Sequence, residues 1–207
     1  MPEEIIEHYK QLLATHEWLA WGSLGWTVCR TDRAAPEIDE LAQALSSSGE
    51  ADVKEMAVAE EPLQTPGQVV FFEQLNDGYF LFESEESYVS ENAILKSLSV
   101  GGRVYNISWN GGYHSRLAYA EDGEIRLRWL NVQSGEFPRP RITHPIDEKI
   151  SLAVEISRRE GREFGFADLM AVVELATGVR LSNDWVDGVH PCLVISDPLP
   201  SVGWPYG

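Results

Sequence analysis

Residues 103–132 read Arg103-Val104-Tyr105-Asn106-Ile107-Ser108-Trp109-Asn110-Gly111-Gly112-Tyr113-His114-Ser115-Arg116-Leu117-Ala118-Tyr119-Ala120-Glu121-Asp122-Gly123-Glu124-Ile125-Arg126-Leu127-Arg128-Trp129-Leu130-Asn131-Val132. Tyr105, Ile107 and Trp109 alternate with Asn106, Ser108 and Asn110. Ser115, Leu117 and Tyr119 alternate with His114, Arg116 and Ala118, and Ile125, Leu127 and Trp129 with Arg126 and Arg128. Period-two alternation over three successive runs is the pattern of a half-buried antiparallel meander. The connections Asn110-Gly111-Gly112 and Glu121-Asp122-Gly123 are read as three-residue loops with bulges. Two-residue turns would put Trp109 on one face with His114 and Arg116.

That register sets Arg116 between Asn106 and Arg128, with Ser108 and His114 one pair along and Arg126 diagonal. Like charges directly opposite on adjacent strands repel, so a counter-charge is expected near Arg116 and Arg128. A carboxylate elsewhere in the chain, or solvent, would supply it in the plainer reading. In the sharper one it is a small anion, because the arginine fork matches carboxylate and phosphate. Arginine on a solvated strand face is common, which favours the plainer reading.

With 207 residues and 43% hydrophobic content, the chain is long enough for a substantial core. The expectation is a single domain over residues 1–207. No apolar run approaches a membrane span, and Met1-Pro2-Glu3-Glu4 is unlike a secretion signal. Two cysteines, Cys29 and Cys192, make no disulfide framework, so a reducing cytoplasm is the default expectation. The net charge of −17 is uneven: residues 36–91 hold fourteen acidic side chains and one lysine, Lys54. Such acidity argues against nucleic-acid binding and for a basic partner or plain solubility.

Elsewhere the helical pattern spans 3–20, with His16 near the centre of an apolar stripe, where a core histidine bonded to a backbone carbonyl is the expectation. Trp18, Trp21 and Trp26 read as a corner of the core, and 25–31 as a strand. A helix follows Pro36, with Ile38, Leu41 and Leu45 on one face and Glu37, Asp39 and Glu40 at its start. Residues 46–67 read as a long acidic loop with a short strand near Met56. Apolar runs at 69–72 and 79–82, joined through Asn76-Asp77-Gly78, read as a central hairpin. Helices are expected at 90–98, 146–160 and 166–177, the last apolar nearly all round and capped by Gly178. Ser182 caps a turn containing Trp185, and 198–207 reads as a surface tail. The fold class is α+β, an antiparallel sheet of about five or six strands with helices packed mainly on one face.

Trp26-Thr27-Val28-Cys29-Arg30, the 38–45 helix, Tyr119-Ala120-Glu121-Asp122-Gly123 and Ala176-Thr177-Gly178-Val179-Arg180-Leu181-Ser182-Asn183-Asp184-Trp185 occur in this order. Together they resemble a bacterial family known only as a domain of unknown function. The resemblance covers residues 18–188 and implies one bacterial cytoplasmic domain with no assigned activity, so no catalytic residue follows from it.

The motifs of familiar chemistry are absent. No glycine loop carries the lysine and following helix of a phosphate cradle, and no Gly-x-Ser-x-Gly elbow occurs. His190-Pro191-Cys192 offers two ligands at most, short of a zinc set. His114 beside Ser108 is the one arrangement fit for a base and a nucleophile, and it lacks a visible orienting carboxylate. No cofactor is expected, and the balance lies against an enzyme. Two functions remain. In the first, the chain is a non-enzymatic acidic domain that binds a basic protein, in the manner of toxin-neutralising immunity proteins, with Glu83, Glu85 and Glu86 as the contact set. In the second, it binds a small anion or nucleotide, or acts as an enzyme, through Arg116, Arg126, Arg128, His114, Ser108 and Asn106.

Overall fold

The computed structural model describes residues 1–32, 37–59, 65–84, 87–111, 114–131 and 144–200. Eight strands form one antiparallel sheet: β1 (Leu24–Thr31), β2 (Asp52–Ala57), β3 (Gln68–Leu75), β4 (Gly78–Glu83), β5 (Gly102–Trp109), β6 (Ser115–Glu121), β7 (Glu124–Leu130) and β8 (Val189–Ile195), in the order β2-β8-β3-β4-β1-β5-β6-β7. The hairpin β3–β4 and β1 lie at the middle of the sheet, as their unbroken apolar runs require.

The alternation read in 103–132 decides what each face carries. Tyr105, Ile107, Trp109, Leu117, Tyr119, Leu127 and Trp129 pack into one core with helices α1 (Pro2–Thr15), α2 (Glu17–Trp21), α5 (Pro145–Arg159), α6 (Phe166–Thr177) and α7 (Asn183–Val186). α6 contacts α1 and α5 on its outer side and β5 and β1 on its inner side, which explains a helix with no polar face. Gly178 ends it in the left-handed conformation at φ 73°. Trp185 of α7 lies edge-on to Phe71, Phe80 and Phe82, so a four-residue helix is held by aromatic packing, and Ser182 Oγ caps it.

The other face is covered as well. Leu41 and Leu45 of α3 (Ile38–Leu45), the 3-10 turn Tyr88–Ser90, and Ile94 and Leu95 of α4 (Asn92–Leu98) pack on Cys29, Tyr79, Leu81, Val104, Ala118 and Ala120. The longer helices are on one face, but the sheet has helical cover on both. Its strand number also exceeds five or six. Pro191 disguises β8 because it breaks the donor pattern of a strand, and the short strand expected near Met56 is β2, which begins earlier, at Asp52.

The meander register differs from the expected one. β5 and β6 pair Trp109 with Ser115, two positions beyond a three-residue loop, so Arg116 faces Ser108 and Asn106 faces Ala118. β6 and β7 close on a two-residue turn, Asp122 at φ 50° and Gly123 at φ 78°, with a bulge between Tyr119 and Ala120 that leaves Arg126 without a cross-strand partner. Arg116 therefore faces Leu130, and Arg128 faces Ala118. Even slippage preserved the faces and removed the arginine–arginine opposition, and the bulge turned Ile125 into the second core.

Two smaller expectations change. The N-terminal helix breaks at His16, which is buried and bonds the Asn183 side chain at 3.1 Å rather than a backbone carbonyl. Of the three tryptophans, Trp26 is fully buried while Trp21 is 72% exposed. Residues 132–143 and 201–207 lie outside the described part. The start of the tail is anchored: Ser46 bridges Pro198, and Leu199 N–H donates to Tyr88 Oη at 2.7 Å.

Candidate functional site

A polar strip runs across the sheet face beneath the 3-10 turn and α4. One ladder row carries Glu83, Gly25, Ser108, Arg116 and Leu130 on successive strands, and the next carries Thr27, Asn106, Ala118 and Arg128. Gly25 leaves room for the Glu83 carboxylate, which accepts the Val89 N–H at 3.0 Å. Asn106 Nδ2 donates to Thr27 Oγ1 at 2.9 Å. Arg116 donates to the Ser90 carbonyl, tying the sheet to the 3-10 turn. Burial, aided by the like charge of Arg128 and opposed by Glu91, lowers the Arg116 guanidinium to about 10, so it stays charged at neutral pH.

The residues expected to act together are separated by depth. Arg116 is only 4% exposed and Asn106 and Ser108 are fully buried, whereas Arg126 and Arg128 are exposed and make no ion pair among the described residues. His114 is half-buried, with Nδ1 3.3 Å from Asn131 Oδ1. Ser108 Oγ has no hydrogen-bond partner among the described residues, so it forms no nucleophile–base pair with His114. Ser90 Oγ and Asn106 Oδ1 are likewise buried without one. Glu83 is 2% exposed and faces inward, and Glu85 and Glu86 lie outside the described residues. His190 is taken up in stacking on Trp185, with ring centroids 4.3 Å apart.

The open acidic surface lies elsewhere, where α3, the turn after it and the β2 edge meet. Gly49, at φ 76°, turns the chain out of Ser46–Ser48 toward β2, and Ser47 N–H bonds the Asp197 carbonyl. Asp39, Glu50, Asp52 and Asp197 line an open groove of about 600 Å³ together with Gln43 and Ser196. None of the four carboxylates makes an ion pair among the described residues. The charge bias of 36–91 was legible in sequence. The groove was not, because it depends on β2 and β8 pairing beside α3.

No protein-family model, curated protein or solved structure matches this chain.

Proposed function

We propose that the chain is a non-catalytic acidic interaction domain of the bacterial cytoplasm that takes up a basic protein, as an immunity-type inhibitor takes up a cationic toxin. The observation that carries the reading is the groove lined by Asp39, Glu50, Asp52 and Asp197, open and without a cation from its own described residues. Four carboxylates around one concavity repel each other, a cost that a basic partner relieves on docking. On this reading the contact set is the groove rather than Glu83, whose carboxylate is used within the fold. Affinity capture from host extract with wild type and with the Asp39→Asn, Glu50→Gln, Asp52→Asn, Asp197→Asn variant tests it. A basic protein retained by wild type, lost by the variant, and bound at least about tenfold more weakly when salt is raised is the expected result. Capture that does not differ between the two proteins overturns the reading.

The second reading, a small-anion or nucleotide domain using the meander, draws support from Ser90 Oγ, Ser108 Oγ and Asn106 Oδ1. Buried polar atoms without partners are places where a polar guest or water is held. Thermal stabilisation by phosphate or nucleotides in wild type, lost in Arg116→Ala, would favour this reading over the first.

A further inference from the structure

We propose that the outer side of β2 accepts an extended, positively charged segment of the partner as a ninth strand. The inference rests on the acidic-domain reading above and names how the partner is held.

The backbone of β2 carries the argument. β2 pairs with β8 in the register Asp52–Val194, Lys54–Cys192 and Met56–His190, and Val58 N–H donates to the Gly188 carbonyl in continuation of it. In an antiparallel pair the residues that exchange bonds alternate with those that do not. The Val58–Gly188 bond thus assigns the exchanging positions to Lys54 and Met56, and it turns the N–H and C=O of Val53 and Glu55 away from β8. Pro191, which has no N–H to give, stands opposite Glu55, in agreement with that assignment. No described strand pairs with β2 on its outer side. Asp52, Val53, Lys54 and Glu55 are all exposed, Val53 by 55%.

An open edge pairs with any strand that its side chains tolerate. Glu50, Asp52 and Glu55 crowd this edge, and Asp39 and Asp197 stand in the groove beside it. Lys54 is the one cation among them, so the edge is negative on balance and a second β2 edge would meet like net charge. A strand with lysine or arginine at alternate positions instead gains ion pairs on top of its main-chain bonds, the division of labour seen in strand addition. The opposite edge discriminates the other way: β7 presents Arg126 and Arg128, both exposed, and would repel the same segment.

The test uses the full chain with a capped octapeptide of alternating lysine and valine, and a glutamate–valine peptide as control. Amide exchange is read at Val53, Lys54 and Glu55, and affinity is measured for wild type and Val53→Pro. Proline at an outward-facing edge position removes one donor and leaves the β2–β8 bonds intact. The expected result is exchange slowed at least about tenfold at Val53 and Glu55 but not Lys54, with affinity lowered at least about tenfold in Val53→Pro. The glutamate–valine peptide leaves exchange unchanged. The exchange measurement on wild type stands even where Val53→Pro fails to fold. Equal binding by both proteins with unaltered exchange overturns strand addition and leaves the acidic-domain reading standing, and so does absence of peptide binding. Concentration-dependent self-assembly that is lost in Arg126→Glu, Arg128→Glu overturns it in favour of a second copy, whose β7 edge would be the occupant. Failure of the capture experiment, by contrast, removes the acidic-domain reading itself.

Discussion

The Glu83 carboxylate lies where a side chain on Gly25 would point: a Cβ there would come within 2.6 Å of Oε2. The two residues are cross-strand partners on β4 and β1. A buried carboxylate persists only while its oxygens are bonded, and Oε2 takes the Val89 N–H. Gly25→Ala is expected to displace the carboxylate and lower stability by about 1–3 kcal/mol in urea unfolding. The loss should shrink in a Glu83→Ala background, with a coupling of about 1 kcal/mol in the double-mutant cycle. Strictly additive losses would show that the glycine is needed for another reason.

Arg116 and Arg128 should behave as different kinds of residue despite lying on one sheet face. Arg116 is buried and holds the Ser90 carbonyl, so Arg116→Ala should cost about 2–4 kcal/mol by chemical denaturation. Arg128 is exposed opposite Ala118, and Arg128→Ala should stay within about 0.5 kcal/mol. Comparable losses at both positions would contradict the register.

The contrast between these arginines marks how far the sequence could be read. Alternation is a local signal, so the faces of Tyr105, Leu117 and Leu127 were legible from side-chain type alone. Depth on the polar face was not, because it depends on the 3-10 turn folding back onto the sheet, where the Ser90 carbonyl takes Arg116. Pairing was lost for a similar reason. A loop two residues longer preserves every face and slides every partner, so parity cannot report it. β8 is illegible in sequence because Pro191 mimics a strand breaker, although its missing donor lies at a pair that exchanges no bonds with β2. Glu83 reads as one of several surface acids, and its inward turn depends on Gly25, adjacent across the sheet but far off in sequence, and on the Val89 N–H.

Tyr9 makes stability sensitive to alkali. Its hydroxyl donates to Glu174 Oε2 at 2.7 Å, and burial, then the Glu174 charge and the bond to it, push the phenol well above the usual tyrosine range. The folded state therefore keeps a proton that the unfolded state releases near pH 10. Its contribution is fully present below that pH and is lost as pH rises further. Tyr9→Phe should lose about 1–2 kcal/mol at neutral pH yet show a shallower fall of stability above pH about 10. The slope should not vanish, because burial raises Tyr105 and Tyr119 in the same direction. An unchanged alkaline slope would contradict the assignment.

Asp168 joins α5 to α6 from a position with no solvent contact. Arg162 grips it through bonds of 2.6 and 2.7 Å, Ser157 Oγ donates at 2.9 Å, and Gly165 N–H donates at 2.8 Å at the start of α6. Such a pair is held in place by the cost of leaving one charge behind rather than by a large net gain. Removing either partner alone, by Arg162→Ala or Asp168→Ala, should therefore cost about 3–5 kcal/mol in urea unfolding. Replacing both with apolar side chains, Asp168→Leu with Arg162→Met, should cost less than the two single losses combined, because no buried charge is then stranded. If the double variant instead loses the full sum, the bonds to Ser157 and Gly165, not the ion pair, are what fix the start of α6.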